Sequence, residues 1–133
     1  SLVNDVNSQP SDVSGKTPPW ISDYSFSLAA DLRVPLGNDY EFAGTVEYIG
    51  KGPYWFNQEN TAGHPGYELT NLSIGVENSR WGLRMNVENI FDKGYYTDGS
   101  IWPGDAVPGA PRDVVIGTLG QPRLITLTAS VRF

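Results

Sequence analysis

Apolar side chains recur at every second position in five stretches of this chain. In the first, Tyr24, Phe26, Leu28, Ala30, Leu32 and Val34 alternate with Ser25, Ser27, Ala29, Asp31 and Arg33. In the second, Tyr40, Phe42, Gly44, Val46 and Tyr48 alternate with Glu41, Ala43, Thr45, Glu47 and Ile49. The third sets Thr70, Leu72, Ile74 and Val76 against Asn71, Ser73, Gly75 and Glu77. The fourth sets Trp81, Leu83, Met85 and Val87 against Gly82, Arg84, Asn86 and Glu88, with Phe91 near its far end. The fifth runs from Arg123 to the last residue: Ile125, Leu127, Ala129, Val131 and Phe133 alternate with Leu124, Thr126, Thr128, Ser130 and Arg132. A period of two predicts a strand with one apolar face. No segment sustains the i, i+3, i+4 spacing of an amphipathic helix, so the pattern predicts an all-β chain.

The connections differ in kind. Pro35-Leu36-Gly37-Asn38-Asp39 and Glu77-Asn78-Ser79-Arg80 read as tight turns. Gly50 to Gly66 reads as a long loop rich in Gly, Pro and aromatic residues, Asp92 to Pro122 as a longer one, and Ser1 to Ile21 as another. Short turns at one end of the strands and long loops at the other are the pattern of outer-membrane β-barrels, with short periplasmic turns and long external loops. A soluble domain rarely finishes on an apolar strand with a terminal aromatic, because chain ends fray into water. The stretch from Trp81 to Phe91 rises about 33 Å as a strand. Tilted as barrel strands are, it covers roughly 25 Å, the height of the apolar band. Tyr and Trp near strand ends fit interfacial girdles. The polar face (Asp31, Arg33, Glu41, Glu47, Asn71, Glu77, Arg84, Asn86, Glu88 and Arg132) would line a lumen in a barrel or face solvent in a sandwich. Alternation alone does not separate the two.

Composition narrows the chemistry. The chain has 133 residues, 39% hydrophobic and 18% charged, with a net charge of −6. An acidic chain without basic clusters is a poor match for nucleic acid. The absence of cysteine removes disulfides and thiolate metal sites. No apolar run reaches the length of a membrane-spanning helix. No nucleophile–base constellation is evident, so the sequence does not point to an enzyme, and it implies no cofactor.

Four short motifs sharpen the picture. The fourth strand leads into Asn89-Ile90-Phe91-Asp92-Lys93-Gly94-Tyr95, and the fifth follows Gly120-Gln121-Pro122-Arg123. Gly66-Tyr67-Glu68-Leu69-Thr70-Asn71-Leu72 opens the third, and Pro18-Pro19-Trp20 leads towards the first. In order and spacing these resemble the C-terminal strands of TonB-dependent outer-membrane receptors, with their N-[LI]-F-D-[KE]-x-Y run, their G-x-P-R lead-in and their terminal aromatic. The resemblance covers nearly the whole chain. It implies an antiparallel transmembrane β-barrel segment of about five strands, residues 1–133, belonging to a larger barrel whose plug and N-terminal strands lie outside this sequence. It implies the Gram-negative outer membrane, with lipid and lipopolysaccharide around the barrel. It also implies a plug domain, the remaining barrel strands and the TonB system as partners, and uptake of a scarce nutrient such as a ferric siderophore. Five strands cannot close a lumen alone. The other reading, from the residues alone, is a soluble all-β module binding carbohydrate or another ligand on Trp55 or Trp102.

Candidate ligand-binding residues lie in the long connections. Tyr54, Trp55 and Phe56 form an aromatic run that could stack on a ligand, or pack the loop. His64, in Gly63-His64-Pro65-Gly66, is a candidate haem or metal ligand, against the plainer reading of a solvated loop histidine. Trp102 offers another flat surface, and Arg112, like Arg123, suits an anionic ligand or a lipopolysaccharide phosphate. Asp92, Asp98, Asp105 and Asp113 do not have the spacing of a calcium loop, so no metal site is expected. Phe133, Val131, Ala129, Leu127 and Ile125 form the expected barrel-assembly signal, a role the resemblance implies.

Overall fold

The computed structural model describes residues 12–104, 108–109 and 113–133. Among these the chain forms strands β1 (Ser25–Gly37), β2 (Tyr40–Lys51), β3 (Tyr54–Trp55), β4 (Gly63–His64), β5 (Tyr67–Glu77), β6 (Trp81–Glu88), β7 (Tyr96–Trp102), β8 (Val114–Leu119) and β9 (Leu124–Val131). They fall into two compact units. The sheet unit comprises Ser25–Lys51, Tyr67–Tyr95 and Gly120–Phe133, and the loop unit comprises Gly52–Gly66, Tyr96–Leu119 and the described part of Ser1–Tyr24.

The sheet unit is one antiparallel meander in the order β1-β2-β5-β6-β9. The five period-2 stretches are its five strands, but β6 ends at Glu88 and does not continue to Phe91, because Asn89 turns the chain with a positive φ of 50°. The pairing carries the alternation across the whole sheet. Val34 lies beside Phe42, Phe42 beside Val76, Val76 beside Leu83, and Leu83 beside Ala129. The next row on the same face is Leu32, Gly44, Ile74, Met85 and Leu127, and the next is Ala30, Val46, Leu72, Val87 and Ile125. One face is therefore continuously apolar, and among the described residues nothing covers it. Leu28 is 63% exposed, Ile125 61% and Leu127 68%. Among the described residues, Tyr54 of the loop unit is the one hydrophobic side chain that is fully buried. An all-β domain that folds in water must bury such a face against a second layer. This sheet has the surface of one whose apolar face meets lipid.

Aromatic residues mark both ends of the apolar rows. Tyr40 and Trp81 meet edge-on near the turns, with ring centres 5.6 Å apart. Phe26 and Tyr48 meet at 5.5 Å towards the other end, where Phe91 is 77% exposed. Phe26 pairs directly with Gly50, and a β-carbon there would overlap the Phe26 ring, so the missing side chain is what seats the aromatic. The opposite face is polar and internally bonded. Thr45 donates to Asp31 at 2.6 Å, Arg33 meets Glu41 at 2.7 Å, and Asn71 donates to Glu47 at 2.9 Å.

The tight turns follow from local chemistry. Gly37 pairs with Tyr40, so Asn38 and Asp39 are the two central residues, and both have positive φ (54° and 69°). That is the demand of a type I′ hairpin, which Asn and Asp meet at little cost. In the second turn the Asn78 side chain accepts from the amides of Arg80 (2.9 Å) and Trp81 (2.8 Å). The Arg132 amide donates to the Arg80 carbonyl at 2.7 Å, carrying β9's pairing past its last strand residue. Pro35, which has no N–H to give, sits on β1, a strand with a partner on one side only in this sheet.

The long connections depart from expectation. Gly50 to Gly66 and Asp92 to Pro122 read as structureless, yet they contain the β3–β4 and β7–β8 hairpins. Gly, Pro and Asp punctuation hid the alternation there. Arg112 and Asp105 lie outside the described residues.

Candidate functional site

The loop unit has a small aromatic centre built on Tyr54. It is 2% exposed, and its hydroxyl donates to the Tyr96 carbonyl at 2.6 Å. His64 pairs with Tyr54 across the β3–β4 ladder, and the two rings stack at 5.7 Å and 18°. Tyr96 closes on His64 edge-on at 6.0 Å. Phe56 packs against Tyr54 at 5.7 Å and Trp20 at 5.5 Å. Two glycines make room: a β-carbon on Gly99 would stand 2.7 Å from the Phe56 ring, and one on Gly117 would stand 2.6 Å from the Tyr96 ring. Asn60 ties the lead-in segment to this centre. Its amide nitrogen donates to the Thr17 carbonyl and its oxygen accepts from the Thr17 amide, each at 2.8 Å.

His64 is half-buried. Its Nδ1 accepts from the Gly66 amide at 3.0 Å, and Nε2 stands 3.4 Å from the Tyr96 amide. Among the described residues no group of three His, Cys, Asp or Glu side chains is placed to hold a metal. What His64 does form is a wall. With Phe56, Pro65, Tyr96, Val115 and Gly117 it lines an open cleft of about 470 Å³, a volume in the range of small-molecule sites.

The structure brings three of the sequence candidates together: Tyr54 underneath, with Phe56 and His64 at the cleft. Trp55, alternating to the other side of β3, is 37% exposed and does not line it. Trp102 is 48% exposed, donates its indole N–H to Ser100 at 3.1 Å, and stands outside the cleft too. Tyr96 and Val115 were not among the sequence candidates. The doubled aromatic Tyr95-Tyr96 is the one signal that could have flagged the first.

A second constellation lies in the sheet unit, where three of the sequence motifs meet. Asn89, 4% exposed, is the buried polar residue at its centre. Its amide nitrogen donates to the carbonyls of Lys93 (3.0 Å) and Gln121 (3.1 Å), and its side-chain oxygen accepts from the Lys93 amide (2.9 Å). Its own backbone amide donates to the Asn71 side chain at 3.0 Å. Asp92 accepts from the Arg123 amide at 2.8 Å. The Gly120 amide donates to the Tyr95 carbonyl at 2.8 Å, and a β-carbon on Gly120 would overlap the Tyr95 ring. Tyr95 in turn packs on Tyr67 at 4.4 Å. Asn89 and Asp92 both have positive φ (50° and 51°), a conformation that asparagine and aspartate tolerate better than other side chains.

The residues expected to form the barrel-assembly signal lie on β9 and at its end. Ile125, Leu127, Ala129 and Val131 pair with Val87, Met85, Leu83 and Trp81, and Phe133 is fully exposed beyond the strand.

A family model described as "TonB dependent receptor-like, beta-barrel" matches residues 3–90. No solved structure matches the chain. The match covers β1 to β6, and so four of the five strands of the sheet unit. The family is one of transporters, not enzymes, and implies an outer-membrane barrel. A meander of antiparallel strands, one face bare and apolar and the other polar and hydrogen-bonded, is what such a barrel wall requires, and this chain belongs to the TonB-dependent receptor-like β-barrel family.

Proposed function

We propose that this chain is the C-terminal portion of the barrel of an energised receptor in the Gram-negative outer membrane, one that takes up a scarce nutrient such as a ferric siderophore. The observation that carries the reading is the uncovered apolar face of the sheet. Exposing Leu28, Leu32, Ile125 and Leu127 to water is costly, and lipid removes the cost. The polar face then lines the lumen and meets the plug domain. A soluble carbohydrate-binding module on Trp55 or Trp102 would need a second layer over that face. In this reading the nutrient meets Phe56, His64 and Tyr96 at the cleft, with Tyr54 holding them in place. Trp55, Trp102 and Arg112 serve as outer contacts for the ligand or for lipopolysaccharide.

The test is uptake by the native full-length receptor. Cells carrying it should accumulate radio-iron from at least one member of a siderophore panel, and lose that uptake when the TonB system is removed. Uptake indifferent to that system would end the transport reading. A chain that is monodisperse and monomeric without detergent would end the membrane reading. We also assign Phe133 and the apolar register behind it as the barrel-assembly signal. Deleting Phe133 from the full-length receptor should lower the inserted fraction, and undiminished insertion refutes the assignment.

A further inference from the structure

The apolar alternation of β9 decides which face of that strand meets lipid, but it does not decide the register. A slip of one residue against β6 would turn Ile125, Leu127, Ala129 and Val131 to the polar side, and burial forbids it. A slip of two residues keeps every side chain on its face. At two other pairings in the sheet a tight turn excludes that error: Asn38-Asp39 fixes β1 against β2, and the Asn78 turn fixes β5 against β6. Between β6 and β9 there is no such turn. The chain leaves at Asn89 and returns at Arg123 after a long excursion that includes β7 and β8. An excursion of that length imposes almost no register of its own.

We propose that Asn89, Asp92 and Tyr95 form a register lock for the terminal strand. Each binds a different residue of the returning chain through its backbone: Asn89 the Gln121 carbonyl, Asp92 the Arg123 amide, and Tyr95 the Gly120 amide. Moving β9 by two residues would break all three contacts. It would also bring Thr118 or Pro122 to the place where Gly120 lets the Tyr95 ring lie flat, and neither is a glycine. The lock is anchored on the inner strand as well, since the Asn89 amide bonds Asn71 and the Ile90 amide bonds the Thr70 carbonyl at 2.9 Å. It thus measures β9 against both β6 and β5.

The lock is read by disulfide trapping in a cysteine-free version of the full-length receptor. Arg84 and Thr128 are direct partners on the polar face in the native register. A two-residue slip would bring Thr126 or Ser130 opposite Arg84. In the parent chain, Arg84→Cys should cross-link with Thr128→Cys and be silent with Thr126→Cys or Ser130→Cys. Adding Asn89→Ala with Asp92→Ala should raise a silent pair to a yield comparable with the native one. If that variant inserts and still traps the native pair alone, the proposal is overturned. If it does not insert, a second variant decides: residues 89–123 are replaced by a two-residue Asn-Gly turn, which sets Glu88 opposite Leu124 by geometry. Insertion with the Arg84–Thr128 pair trapped alone supports the lock, because a turn has then substituted for it. Failure of that variant to insert overturns it.

Discussion

In the sheet unit the large apolar side chains stay exposed in orderly rows, whereas in the loop unit the aromatic side chains close on one another around Tyr54. The two units draw on the same residue types and put them to opposite use. The sheet is held by its backbone ladders and needs an apolar solvent on one face. The loop unit supplies its own small core, seats Phe56 and Tyr96 over Gly99 and Gly117, and needs none. Substitutions should therefore be judged by solvent in the first unit and by packing in the second.

The largest contrast is expected between neighbouring residues of β9. Leu127 lies at the middle of the strand on the apolar face, opposite Met85, and Thr126 lies on the polar face, opposite Asn86. Leu127→Arg puts a charge into hydrocarbon and should destabilise the inserted full-length barrel by about 2–4 kcal/mol. Thr126→Arg should stay within about 0.5 kcal/mol. Denaturant titration of the receptor in lipid vesicles measures both. Equal effects would show that the two faces of β9 do not meet different solvents.

A smaller effect is expected in the loop unit. Tyr54→Phe removes one hydroxyl and leaves the Tyr96 carbonyl without that donor. The expected cost is about 0.5–1.5 kcal/mol. It should appear as faster hydrogen exchange in β3, β4 and β7, with the exchange of β1, β2, β5, β6 and β9 unchanged. Faster exchange in the sheet strands as well would mean that the aromatic centre is not a self-contained core.

Much of the sheet was legible in the sequence because a strand with one apolar face writes itself at period two, and all five stretches obey it. The loop unit was not legible, for a physical reason. Its order comes from aromatic rings lying over glycines on other segments, such as Phe56 over Gly99, and that packing has no period. Tyr54 and Trp55 are adjacent in sequence and look alike there, yet alternation in a two-residue strand buries the first and exposes the second. Trp20 adopts a positive φ of 69°, which no local pattern announces for a tryptophan. The Asn89 motif falls between these extremes. Its residues stood out as a family signature, but their partners Gly120, Gln121 and Arg123 lie at the far end of a long excursion, so the motif could be read without its purpose.

The finest test of the comparison lies at the turn end of the sheet, where a titratable and a non-titratable group do the same work. Asp39 accepts from the Ser79 amide at 3.0 Å, joining the two tight turns. Hydrogen bonding by Ser79, through its side chain first and its backbone amide second, holds the exposed Asp39 carboxyl below its ordinary range. The Arg80 and Trp81 amides are held instead by the neutral side chain of Asn78. A carboxyl whose value is depressed in the folded state stabilises it above the unfolded value. That contribution is lost as pH falls through the folded value. Protection of the Ser79 amide, taken as a ratio to that of Arg80 and Trp81, should therefore hold at neutral pH and fall once the solution becomes more acidic than an ordinary aspartate. The ratio cancels the intrinsic pH dependence of exchange common to the three amides. Asp39→Asn keeps an acceptor oxygen and tolerates the positive φ, so it should flatten the ratio without opening the turn. A ratio that fell equally in the Asp39→Asn chain would place the acid sensitivity elsewhere in the sheet.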